Sequence, residues 1–251
     1  MNLLRKLNLA IVFATVVLSA SVCRGQAPAQ QPPDKIWEGS IGAGFSLTTG
    51  NSDTKNFNWS FDLTRDPKTR NLIRLNSLYL WGSDSGNTNV DKLDIRFRDE
   101  YTLTDKLFVF GAATYYRDIP KEIQSQINPV AGLGYHLKKS ETLQLRVGGG
   151  GGGIWEKPPD GEWSSSGTLN ASQELSAQLT KTAQLTQSLS GLWKTSDLGD
   201  AQYRFSIALS TSITQKAQLK VEFRDDYFTK PAGPDTKKND TATILSFIYN
   251  F

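Results

Sequence analysis

His136 is the only histidine in the 251 residues, so any imidazole-based triad or metal centre must pass through it. Ser140 follows closely, and a serine–histidine pair on a barrel wall would suit lipid hydrolysis. The sequence supplies that pair with neither an orienting acid nor an oxyanion hole. With Cys23 the single cysteine, a zinc set is not assembled either. The glycine run Gly148–Gly153 invites a phosphate-loop reading, but Ile154, Trp155 and Glu156 stand where a lysine and a hydroxyl residue opening a helix are needed. Inside a strand, such glycines permit sharp curvature or the close approach of a loop folded into a lumen. The stretch Gly82–Asp91 carries Asp84, Asn87, Asn89 and Asp91, all hard-cation ligands, without the closing glutamate of a calcium loop, and reads as a solvated loop. No catalytic, metal-binding or cofactor-binding residue is expected, and no cofactor.

A more regular pattern lies in the charges. Asp62, Arg74, Asp94, Arg96, Arg98, Glu100, Arg146, Arg204, Glu222, Arg224 and Asp226 all share one parity with polar neighbours, while apolar residues hold the other. Period-two spacing places them on one face of extended strands. If the odd-numbered face meets lipid, these charges project into a lumen, where they either pair and plug it or line a narrow pore whose selectivity follows charge placement. Asp99 and Asp225 fall on the apolar parity and call for a bulge or a position near the membrane interface.

The elements carrying these residues alternate from Ile36 to the chain end. Phe57, Trp59, Phe61 and Leu63 oppose Asn58, Ser60, Asp62 and Thr64; Thr243, Leu245, Phe247, Tyr249 and Phe251 close the series. Tight connections near 66–69, 104–106, 138–141, 180–182 and 214–216 alternate with long ones near 49–54, 82–91, 118–126, 156–162, 194–202 and 229–240. The fold class is all-β: an antiparallel up-and-down transmembrane β-barrel of about twelve strands, with both termini on the short-turn side. A soluble β-sandwich or lipocalin-like barrel would also alternate, but with its apolar face inward. Strands of ten residues or more favour the membrane barrel. So does an end at Tyr249 and Phe251 with no polar tail, the pattern of a C-terminal signal for the barrel-assembly machinery, although Ser246 stands where glycine is common. Trp37, Trp59, Trp81, Phe108, Phe110, Tyr115, Tyr116, Trp155, Trp163 and Trp193 lie near strand ends, as interface girdles would. The partners expected are outer-membrane lipid and, during biogenesis, the assembly machinery.

The chain opens like an exported protein. Arg5 and Lys6 precede an apolar run from Leu7 to Ala20, too short to span a bilayer, and small residues follow. A cleaved signal over 1–25, a polar lead-in over 26–35 and a barrel over 36–251 are expected. Lipidation at Cys23 is the alternative, disfavoured by Val22 before it. Cleavage after Gly25 removes three basic residues and no acid, which brings basic and acidic residues level; the formal charge of +3 therefore gives no argument for nucleic-acid binding.

Several stretches resemble one family, the salt-induced outer membrane proteins (domain of unknown function 481). Phe45–Thr64 (FSLTTGNSDTKNFNWSFDLT) is similar to its opening hairpin, with Gly50-Asn51-Ser52-Asp53 at the turn. Asp99–Asp118 (DEYTLTDKLFVFGAATYYRD), Ala131–Leu137 (AGLGYHL) and Asp240–Phe251 (DTATILSFIYNF) follow in order. The resemblance runs from about Trp37 to Phe251 and implies localisation and fold; none of it is a catalytic motif. The function expected is non-enzymatic: a narrow passive channel, or an envelope protein of salt or osmotic stress. A lipid-modifying barrel enzyme and a soluble secreted binding sandwich are the alternatives. No pattern specifies a solute or an oligomeric state.

Overall fold

The computed structural model describes residues 35–49, 54–84, 87–231 and 236–251; the export signal, the polar lead-in up to residue 34 and the turn at Gly50–Asp53 lie outside them. Twelve strands follow in order: β1 (Trp37–Thr49), β2 (Thr54–Arg65), β3 (Asn71–Asp84), β4 (Asn87–Thr102), β5 (Leu107–Asp118), β6 (Ile123–Lys139), β7 (Leu143–Lys157), β8 (Ser164–Gln178), β9 (Ala183–Lys194), β10 (Asp197–Ser212), β11 (Ala217–Phe228) and β12 (Asn239–Asn250). Each pairs antiparallel with its sequence neighbours, and β1 pairs with β12 from Ser40↔Asn250 to Thr49↔Thr241, which closes the barrel. Closure leaves no unpaired sheet edge, the condition for putting strands into lipid.

Parity sets the two faces. Along β12, Ala242, Ile244, Ser246 and Ile248 are buried while Thr243, Leu245, Phe247 and Tyr249 are exposed. The same outward parity exposes Phe45 (72%), Leu133, Leu169, Leu209 and Val221 around the wall. A soluble sandwich or lipocalin buries its apolar face; an apolar belt of this extent on the outside fits a bilayer. The barrel fold with this belt is that of an outer-membrane protein.

Three expectations need correction. The connections read as long at 82–91 and 194–202 are mostly strand: β3 ends at Asp84 and β4 begins at Asn87, while only Thr195 and Ser196 separate β9 from β10. Both hairpins carry a register shift, between Gly82 and Ser83 and between Asp197 and Ala201. Polar, glycine-rich sequence reads as loop, yet strands projecting beyond a membrane need no apolar face to stay paired. Second, Phe108, Phe110 and Tyr116 are buried inside the barrel and belong to no girdle; they are even-numbered residues on β5. Trp37, Trp59, Trp81, Trp155 and Trp163 do face outward and are exposed. Third, the inner face is not uniformly polar: Leu78, Leu80, Val90, Ala242 and Ile244 form an apolar cluster within it.

Glycine makes the tight curvature possible. On β7 a Cβ at Gly150 would collide with the backbone of Ala131 and Gly132, and one at Gly152 with the backbone of Pro129 and Val130. Both point inward, where neighbouring strands of a small barrel converge most closely. Gly149 and Gly151, on the outer face, would bring a Cβ no nearer than 3.7 and 3.6 Å to any atom.

Candidate functional site: the charged lumen

The lumen is filled unevenly because its side chains differ in size around the ring. Between β12 and β4 it is packed with Asn56, Asn58, Leu78, Leu80, Ile244 and Ile248, all buried. Ser246 Oγ donates to Asn58 Oδ1 at 2.9 Å across that packing. From β5 to β9 the inward residues are mostly small: Ala112, Thr114, Val130, Gly148, Ser172, Ser188 and Ser190. A cavity of about 350 Å³ lies against them, lined also by Arg74, Arg96, Arg98 and Arg204 from the flanking strands.

Charge is arranged in three tiers. Near the end that carries the termini, Glu100 accepts from Arg74, from Arg98 Nε at 2.5 Å and from Arg146 Nη1 at 3.0 Å. Glu174 pairs with Arg146 and, at 3.7 Å, with Arg74. At mid-depth Asp94 holds Arg96 bidentately, with Arg224 at 3.6 Å and Arg204 at 3.9 Å, while Glu222 pairs with Lys220 and Arg224. Asp62 accepts only neutral donors, Asn76 at 2.7 Å and Ser40 at 3.3 Å. Among the described residues at these depths, counting Asp226 because it stands opposite Arg204 in register, seven cations (Arg74, Arg96, Arg98, Arg146, Arg204, Lys220 and Arg224) therefore face six carboxylates (Asp62, Asp94, Glu100, Glu174, Glu222 and Asp226). The middle of the lumen carries excess positive charge.

The third tier closes part of the opposite mouth. After β5 the chain makes a 3-10 turn, Ile119–Lys121, that folds inward. Lys121, 2% exposed, reaches across the lumen to the Asp226 carbonyl at 3.2 Å and the Asp240 carboxylate at 3.2 Å, with Phe228 under its ammonium at 4.1 Å. Burial pushes the Lys121 ammonium below the usual lysine range, with Asp226 pulling the other way and the neighbouring charge of Lys92 reinforcing burial. Lys92 pairs with Asp226 and, at 3.6 Å, with Asp118. Arg204 lies over the Tyr116 ring at 4.1 Å.

Beside that closure a second cavity, about 310 Å³, opens between Glu156, Lys157, Lys194, Gln202 and Lys230. It shares Gln202 with the central cavity, which in turn shares Asn76 and Arg96 with a third of about 200 Å³ reaching Asp62, Thr186 and Lys220. The residues between the first two are polar: Gln126 and Gln202 both donate to Glu156 Oε1, at 2.8 and 3.4 Å.

The eleven charged residues singled out by parity all sit on inward-facing positions, and ion pairs join all of them but Asp62, some along one strand (Arg96–Asp94, Arg98–Glu100, Arg224–Glu222) and others across strands (Arg74–Glu100, Arg146–Glu100, Arg204–Asp94, Arg224–Asp94). Asp118, Lys121, Glu156, Glu174, Lys194 and Asp240 belong to the same networks and were missed. Most of them have the even parity that was the available signal. Lys121 has none, since a turn places it. Asp99 and Asp225 do point outward, near strand ends and without a bulge; Asn71 Nδ2 donates to Asp99 at 2.5 Å. His136 is lumenal, its ring 5.1 Å from Phe108, and its Nδ1 has no hydrogen-bond partner. Ser140 Oγ caps its own turn by donating to the Leu143 carbonyl, so the structure does not bring the two together. Of the residues read as cation ligands, Asp91 pairs with Arg117, and the side chains of Asp84 and Asn87 lie outside the described residues. Tyr249 faces outward on β12, and Phe251 exchanges backbone hydrogen bonds with Gly39 at 2.9 and 3.2 Å, tying the chain end to β1.

No curated protein matches the chain in sequence. In fold it is similar to the NanC porin (TM-score 0.56, 9% identity, covering 83% of this chain and 98% of that one). It is equally similar to the COG4313 outer membrane channel from Pseudomonas putida F1 (TM-score 0.55, 13% identity, 89% and 100%). The translocator domain of the autotransporter NalP from Neisseria meningitidis also matches (TM-score 0.50, 12% identity, 85% and 88%). At such identities the likeness is one of fold, shared by barrels of different purpose. The family described as "Protein of unknown function, DUF481" matches residues 41–251, essentially the whole barrel, and the chain belongs to that family.

Proposed function

We propose that the barrel is a narrow passive channel for small polar solutes. The observation that carries this reading is the row of neighbouring cavities, which share Gln202, then Asn76 and Arg96, as lining residues, on the side of the lumen where the inward side chains are small. Charges at its borders are paired both along and across strands, which holds the wall rigid while leaving polar groups to replace a solute's hydration. The fold it shares with porins and channels supports the same conclusion.

The inward turn at Lys121 then acts as a fixed partial stopper. Lys121→Ala removes its contacts with Asp226, Asp240 and Phe228. Single-channel conductance in planar bilayers is expected to rise in this variant, with the reversal potential moving toward cations because one positive charge leaves the mouth. An unchanged conductance would show that the turn does not limit passage. A role in tolerance of salt or osmotic stress rests on the family resemblance alone. It predicts slower growth in high salt for cells lacking the protein.

A further inference from the structure

The central cavity has a mixed lining. Ala112, Val130 and Gly148 with the Phe110 ring supply apolar surface, and Arg74, Arg96, Arg98 and Arg204 supply cations beside it. The Arg98 guanidinium lies 3.8 Å from the Phe110 ring centre, which fixes its plane against the aromatic face. Arg96 has Asp94 as its carboxylate partner, and Asp94 is shared with Arg204 and Arg224. Arg96 also keeps 38% of its side chain exposed to the lumen. Guanidinium groups that outnumber their carboxylates retain donors for one more, and a planar carboxylate matches their fork. At Gly148 a single methyl would sit 3.4 Å from Phe110 and 3.2 Å from Ser172, so a side chain there would crowd the wall, and glycine keeps it clear. A volume of about 350 Å³ falls in the range of small-ligand pockets.

We infer that this cavity is a binding station for small organic carboxylates, with the carboxylate on Arg96 and its neighbours and the apolar body against Phe110, Ala112 and Val130. The inference rests on the channel reading and names its solute class. Binding there must be weak enough to release, as conduction requires.

Titration calorimetry of the folded full chain in detergent, with benzoate and its neutral analogue benzamide as probes, tests the station. Wild type is expected to bind benzoate saturably and benzamide at least tenfold more weakly. Arg96→Gln, checked for folding by its boiling-dependent gel shift, is expected to lose at least tenfold in benzoate affinity; Asp94 keeps Arg204 and Arg224 in that variant. Equal affinity for the two probes, or unchanged benzoate binding in Arg96→Gln, overturns the station. The wild-type comparison decides even if the variant does not fold. Current through bilayers without block by benzoate also overturns the station while leaving the channel standing. Benzoate binding by a protein that passes no current supports the station and removes the channel.

Discussion

Replacing Glu100 by glutamine is expected to destabilise the barrel by about 3–5 kcal/mol, the scale for breaking a buried ion network by removing one partner. Glu100 is 4% exposed and accepts from Arg74, Arg98 and Arg146, which have only Glu174 besides. Without its charge, three guanidiniums share one carboxylate in a confined space. The temperature at which the compact gel band converts to the unfolded one should fall sharply. Asp62→Asn is the matched control. Its partners Asn76 and Ser40 are neutral, so that change should cost only about 1 kcal/mol. Equal shifts for the two variants would mean that the Glu100 network is not what holds this end of the lumen.

The second large effect is at the glycine run. Gly150→Val should abolish folding, with a cost above about 4 kcal/mol, because its Cβ meets the Ala131 and Gly132 backbone and no side chain can move aside. Gly149→Val, one residue away on the outer face, brings its Cβ no nearer than 3.7 Å to the neighbouring strand and should fold with its gel shift intact. If both variants fold alike, the run is not there for curvature. The contrast also separates this role from phosphate binding, which would depend on the whole loop rather than on alternate residues.

These two sites show where sequence alone succeeds and where it stops. Alternation such as Thr243, Leu245, Phe247 and Tyr249 against Ala242, Ile244, Ser246 and Ile248 is enough to define a two-faced strand, and period two then assigns most of the strand charges to one side, with Asp99 and Asp225 on the other. It does not say how full that side is. Leu78, Leu80 and Ile244 sit on the inner parity and pack together on one side of the lumen, and that follows from which strands lie adjacent and from side-chain volume. Asymmetry of the cavity is therefore a property of the closed ring. Lys121 illustrates another limit, since its partners Asp226 and Asp240 lie far along the chain and a short turn brings it to them. Loop boundaries failed for a simpler reason: Asn, Gly and Asp residues around 82–91 and 194–202 stay in strand pairing beyond the apolar belt.

Single-channel recording of the wild-type barrel in planar bilayers tests the channel most directly. Protein shown to be folded by its boiling-dependent gel shift should give small discrete current steps. Under a potassium chloride gradient the reversal potential should favour chloride, because seven cations face six carboxylates along the middle of the lumen and four arginines line its central cavity. Folded, inserted protein that passes no current above the bare bilayer would contradict the account and leave the lumen as a plugged, purely structural core.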